Sequence, residues 1–290
     1  SSMEGFTKMN NNNNNNDPKT VSSFGDEWAR FDQKKLIGDE HAYLFDTYFH
    51  IFPWESLPDE AQGFDMGCGS GRWASLVAPK IAKLTCIDPS PEALAVAQQN
   101  LSHLSNTVFL NAGVSDQPLP ANSQDFGYSL GVLHHIPDTA EALKDSVEML
   151  KPGAPFLVYL DYRFDNRPIW YALIWKVSDI LRRAISRMPA RVKSMVTDVI
   201  ATAVYFPLAR LALLGKKIGF NVDRWLLSSY RDTSFYTMRT DSRDRFGTPL
   251  EQRFTRSEIK EMMLSAGLED INFSDRFPFW VAVGKKSLSQ

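Results

Sequence analysis

Gly63-Phe64-Asp65-Met66-Gly67-Cys68-Gly69-Ser70-Gly71-Arg72-Trp73 decides how this 290-residue chain is read. Apolar positions lead into three glycines spaced two apart, the pattern of a strand that ends in a sharp turn toward a helix. A Cβ at such a turn would clash with a close ligand or demand a positive φ, and glycine permits both the turn and the contact. A dinucleotide fingerprint G-x-G-x-x-G begun at Gly67 would need glycine at position 72, where Arg72 stands, and this counts against NAD or FAD. About twenty residues on, Ile87-Asp88 closes a second apolar run. Its carboxylate is placed to accept hydrogen bonds from both hydroxyls of a ribose.

Outward from this turn, short apolar runs alternate with helical spacing, which signals βαβ units and a parallel sheet. Strands are expected at 64–67, 84–88, 108–111, 125–131 and 156–161. Ser90-Pro91 caps a helix burying Leu94, Ala97 and Leu101, and Asp138 caps one burying Leu143, Val147 and Leu150. Thr255 and Glu258 form a capping box for a helix that Gly267 stops. Two last strands follow, near 271–273 and 280–283, and their short connection makes them antiparallel. The fold expected is α/β, a Rossmann-like doubly wound sheet of seven strands with an antiparallel last strand and a helical insertion after the fifth. Residues 1–20 read as a low-complexity tail around Asn10–Asn16, 21–60 as a helical cap, 61–162 and 250–286 as the core, and 163–249 as the insertion.

Asp65-Met66-Gly67-Cys68-Gly69-Ser70-Gly71 resembles the first motif of class I S-adenosylmethionine-dependent methyltransferases. The chain is similar to the small-molecule type that includes ubiquinone-biosynthesis methyltransferases. The resemblance implies S-adenosylmethionine as cofactor. It implies that Asp65, Gly67, Gly69 and Gly71 hold its methionine portion, Asp88 and Pro89 its ribose, and Asn111 and Ala112 its adenine. The family usually has aspartate where Asn111 stands. The segment Asp125–Asp138 is similar to the fourth strand and its loop, which puts Gly131, His134 and His135 beside the methyl group. Either histidine could take a proton from a hydroxyl or amine as the methyl arrives. Alternatively one of them hydrogen-bonds backbone and shapes the pocket, with positioning alone supplying the rate. The implied activity is methyl transfer to oxygen, before carbon or nitrogen, of a lipophilic or aromatic metabolite. A non-catalytic adenosylmethionine-binding protein and a nucleotide-dependent oxidoreductase stay open.

Phe24, Trp28 and Phe31 fall at i, i+4 and i+7, which suits a capping helix or a lid through which Trp28 meets substrate. The insertion holds a further helix, from Ile169 to Met188. Its apolar stripe is accompanied by Lys176, Arg182, Arg183 and Arg187, and it serves as a lid, a homodimer interface or a peripheral membrane contact. From Arg163 to Leu227 twelve Lys and Arg face four Asp, while the whole chain carries a net charge of -2. That balance gives no case for a nucleic-acid partner. The polar aromatic stretch from Tyr230 to Asp241 offers Tyr230, Tyr236 and Arg239 to a ring or an anion, or forms a surface loop held by salt bridges. Cys68 and Cys86 lack metal-ligand spacing, so no metal is implied. The longest charge-free apolar run, Val199–Ala209, is too short to span a bilayer. A cytoplasmic protein, peripheral at most to the inner face of a membrane, is expected.

Overall fold

The computed structural model describes residues 15–30, 38–166, 168–222 and 225–288. In chain order the first elements are α1 (Pro18–Arg30), α2 (Gly38–Phe49), β1 (Gln62–Met66), α3 (Ala74–Val77), β2 (Lys83–Asp88), α4 (Pro91–Asn100) and β3 (Thr107–Asn111). Next come β4 (Phe126–Leu130), α5 (Thr139–Glu148) and β5 (Pro155–Tyr159). The insertion supplies α6 (Ile169–Ile185), α7 (Ala190–Ile200), α8 (Phe206–Lys217) and α9 (Phe235–Gly247). The chain closes with α10 (Arg256–Ser265), β6 (Leu268–Phe273) and β7 (Val281–Lys286).

The seven strands form one sheet in the order β3-β2-β1-β4-β5-β7-β6. Strands β1 to β5 pair in parallel, and β7 runs antiparallel to both β5 and β6. Every expected strand is present, displaced by a few residues at its ends. All five residues of β4 are buried, as a strand covered on both faces requires. One face of the sheet packs Phe64, Ile87, Leu143, Phe156 and Ile259 under α5 and α10. The other packs Leu84, Leu94, Tyr128 and Leu157 beneath α2 and α4. The chain reverses direction across the sheet between β1 and β4, so a crevice opens at their C-terminal ends.

The capping signals produce the local geometry they imply. Ser90 Oγ accepts the Ala93 N–H, Asp138 accepts from Glu141 N–H, and Thr255 with Glu258 closes a capping box. Each satisfies backbone donors that a helix start leaves unpaired.

Three expectations change, and one falls outside the described residues. The folded part begins before residue 21: α1 starts at Pro18, Thr20 is buried, and the Asn15 side chain pairs with both the N–H and the C=O of Asp138. The side chain of Trp28 and all of Phe31 lie outside the described residues. From Phe235 the Tyr230–Asp241 stretch forms α9, a largely buried helix containing the fully buried Arg243, although Asp232 and Phe235 are exposed. Finally, α7 and α8 join through a π-helical turn at Ala201–Tyr205 into one helix, Ala190–Lys217, long and apolar enough to cross a membrane by length and composition. The wider turn accommodates Pro207, which has no N–H to give the helix ladder, and the helix therefore outlasts the charge-free run that seemed to limit it.

Candidate active site

The candidate site begins with the loop after β1. Gly67, Gly69 and Gly71 have φ of +78°, +52° and +76°, the left-handed region that side chains with a Cβ avoid. The N–H groups of Gly67 and Cys68 both donate to the Ile87 carbonyl, at 2.8 and 3.0 Å, fastening the loop to the end of β2. There Asp88 accepts from Gly69 N–H and Ser90 N–H, each at 2.9 Å. One carboxylate thus shapes the loop while each oxygen keeps a lone pair for a ligand hydroxyl. Burial pushes Asp88 up to about 6, against the pull of those two N–H groups.

The loop also contains orphaned polar atoms. Ser70 Oγ and Arg72 Nε are buried without a hydrogen-bond partner. A buried hydroxyl and guanidinium nitrogen in that state fit a ligand with an anionic group, such as an amino-acid carboxylate, at this loop.

One cavity of about 600 Å³ runs from this loop beneath the insertion, within the size range of small-molecule sites. Gly67, Asp88, Pro89, Gly131, His134, His135 and Tyr230 are on its wall. Other candidates are not. Gly71 sets the loop from behind, since a Cβ there would come within 2.8 Å of Leu101, and Gly69 is off the wall as well. Asp65 lies under the loop, where Tyr128 donates to it at 3.0 Å and burial raises it to about 8. Asn111 donates to the Asp88 carbonyl at 3.0 Å and stays off the wall with Ala112, leaving Gly113 and Val114 to line it. Tyr236 is off the wall too. Arg239 braces α9 to α7 through a bidentate pair with Asp198, both contacts at 3.0 Å.

The two histidines separate in role. His134 Nδ1 accepts the Asp161 N–H at 3.3 Å, so its proton is on Nε2, 3.8 Å from the Asp161 carboxylate. Both of its nitrogens face the end of β5. His135 Nδ1 lies 2.7 Å from the Leu250 carbonyl and donates to it, which leaves Nε2 as a bare acceptor. That nitrogen is buried and has no hydrogen-bond partner, and the nearest carboxylate, Asp244, is 3.8 Å away. Burial lowers His134 to about 3 and His135 to about 4, so both rings are neutral near pH 7.

Around them lies a charged network. Arg253 bridges Asp161 at 3.1 Å and Glu251 at 2.8 Å, and Arg245 reaches Glu251 at 2.6 Å. Burial alone would raise Asp161, but Arg253 and the histidines outweigh it and hold it below the usual carboxylate range. Glu27, Asp241 and Asp244 face the same cavity, and burial, chiefly, raises all three. The signal for Asp161 was present in the sequence, since it closes its strand as Asp88 closes β2. Glu27 and Glu251 carry no such signal, since only the packing of α1 and of the segment after α9 brings them to the cavity.

Residues 64–158, about a third of the chain, match the family described as "Methyltransferase domain". The sterol 4-C-methyltransferase of Caenorhabditis elegans is 29% identical over 154 residues, 48% of this chain and 42% of that protein. A demethylmenaquinone methyltransferase of Listeria monocytogenes is 25% identical over 172 residues, 57% of this chain and 72% of its own length. The chain thus spans less than half of the sterol enzyme. Among solved structures, a possible exported protein of Bordetella parapertussis superposes with a TM-score of 0.50 at 13% identity, covering 90% of this chain and 79% of that one, a likeness of fold.

Proposed function

We propose, from the premise that residues 64–158 form a class I S-adenosylmethionine-dependent methyltransferase domain, that the chain methylates a small lipophilic acceptor bearing an ionisable hydroxyl. The observation that carries this reading is the bare, buried Nε2 of His135, fixed in its acceptor tautomer on the cavity wall.

S-adenosylmethionine, the cofactor of this domain, supplies an activated methyl group. The glycine loop and Asp88 would hold its amino-acid and ribose portions, with Ser70 and Arg72 at the carboxylate end. His135 Nε2 would accept the proton that the acceptor hydroxyl gives up on methylation. Tyr48, Tyr159, Tyr205 and Tyr230 line the acceptor end and suit a flat ring. Arg253 and Glu251 keep Asp161 and His134 in place, and so position the loop that carries His135.

A second reading, transfer to carbon, draws support from the sterol 4-C-methyltransferase among the relatives. The same base would then remove the proton that makes a ring carbon nucleophilic.

The test is incubation of the protein and methyl-labelled S-adenosylmethionine with a lipid extract, followed by mass spectrometry of the labelled product. An O-methyl ether in the organic phase supports the first reading and a methylated ring carbon the second. Cofactor binding without any labelled product would leave a binding protein and overturn both.

A further inference from the structure

Helix α6 is turned inside out for a helix packed on a soluble domain. Its inward face carries Asp179 and Arg182, both buried: Arg182 Nε donates to Asp179 at 2.8 Å, and its Nη1 donates to the carbonyls of Thr248 and Pro249 at 2.9 and 2.7 Å. Its outward face carries Ile169, Leu173, Val177 and Ile180, one stripe at i, i+4, i+8 and i+11, between 56% and 90% exposed. The long helix Ala190–Lys217 repeats the arrangement. Lys193 and Thr197 are buried on its inner side, while Val192, Met195, Val199, Leu211 and Leu214, with Ile218 just past its end, are exposed. Water does not reward either arrangement, because isolated soluble domains rarely leave contiguous apolar surface of this extent.

The charge on these helices identifies what covers them. Lys176, Arg183, Arg187, Arg191, Lys216 and Lys217 are exposed beside the apolar stripes. Among the described residues of α6, α7 and α8 no aspartate or glutamate is exposed. Arg183 pairs with Asp179 and Lys216 with Asp232, while Lys176, Arg187, Arg191 and Lys217 flank the apolar side chains as cations that complement anionic groups over hydrocarbon. Ile174, Val204 and Trp225 line the cavity and border the same face, so the apolar surface runs up to the cavity's rim.

We propose that the outer faces of α6 and of the helix Ala190–Lys217 dock the protein on an anionic lipid bilayer, lying in the interface. Spanning is disfavoured by the inner side of the long helix, which packs along α9 and buries Lys193 and Thr197 against protein. The docked surface brings the rim of the cavity to the lipid, from which a lipophilic acceptor can enter.

Vesicle co-sedimentation tests this with the whole chain, using phosphatidylcholine vesicles with and without phosphatidylserine. The expected result is sedimentation with the anionic vesicles and its loss in high salt. The triple variant Lys176→Glu, Arg187→Glu, Arg191→Glu should weaken partition roughly a hundredfold or more, at about fivefold per cation near an anionic surface. The triple variant Ile169→Gln, Leu173→Gln, Ile180→Gln should abolish it. All six positions are exposed, so both variants should bind S-adenosylhomocysteine as the unaltered protein does, and that titration keeps failure of the cofactor site distinguishable from failure of docking. No binding to anionic vesicles overturns the proposal, as does binding that neither variant alters. A dimer in solution that the glutamine variant dissociates would overturn it in favour of a second copy on this face.

Discussion

Replacing Gly67 by alanine separates two demands that the loop makes on one residue. The backbone there has φ of +78°, and an added Cβ would lie 2.4 and 2.6 Å from Val132 Cγ1 and Cγ2. Left-handed backbone costs an L-residue about 1–2 kcal/mol. Forcing a methyl into a filled site costs roughly 1–3 kcal/mol more. The penalty of about 2–5 kcal/mol must appear somewhere. If the loop keeps its shape it appears as lost stability in urea, and if the loop relaxes it appears as weaker binding of S-adenosylhomocysteine, by about thirtyfold to a few thousandfold. The sum of the two losses is therefore the quantity to measure, by denaturant unfolding and calorimetry on the same preparations. Val132→Ala in the same chain should recover the packing share and leave about 1–2 kcal/mol of backbone cost, once its own effect is subtracted in a double-mutant cycle. A summed loss below about 1 kcal/mol in the single variant would refute the requirement for a positive φ at this turn.

Three further outcomes follow from the site. Burial pushes Asp88 up to about 6, so with the proposed ribose site, which needs its charged form, cofactor affinity should hold above that pH and weaken as pH falls through about 6, by up to tenfold per unit; Asp88→Asn should flatten the calorimetric profile. His135→Asn keeps a donor for the Leu250 carbonyl but removes the free acceptor, so methyl transfer should fall about 10²- to 10⁴-fold with cofactor affinity unchanged, whereas His134→Asn should lower the unfolding midpoint and spare turnover. Arg253→Met leaves Asp161 and Glu251 facing each other without their shared cation and should cost about 3–5 kcal/mol in urea, part of which Glu251→Gln in the same chain restores.

The sheet was legible because its information is local. Glycines at a strand end, side-chain caps at 90, 138 and 255, and runs of buried β-formers each act over a few residues, and each produced its element. The cofactor end was legible to the same depth: Gly67, Asp88 and both histidines reach the cavity. Strand position alone does not fix the side chain of Asn111, whose N–H goes to the Asp88 carbonyl and which stays off the cavity wall. Arg239 looked like an anion binder until Asp198, 41 residues away, neutralised it. The acceptor end was largely hidden. Glu27 comes from α1, Tyr48 from α2, Asp244 and Arg245 from α9 and Glu251 from beyond it, so their meeting depends on helix packing that no periodicity encodes. The orientation of α6 was hidden for the opposite reason, since its apolar stripe was plain but the side it faces is set by the buried Asp179–Arg182 pair.

The asparagine run ends in residues that belong to the protein wall: Asn15 clasps the Asp138 peptide and Asn16 borders the cavity. Homopolymeric tracts gain and lose repeats readily when genes are copied. Here such slippage leaves the clasp intact, because whichever repeats precede Asp17 are still asparagines. Inheritable length variation in this tract is thus buffered at the very positions where its chemistry matters, until fewer than two copies remain.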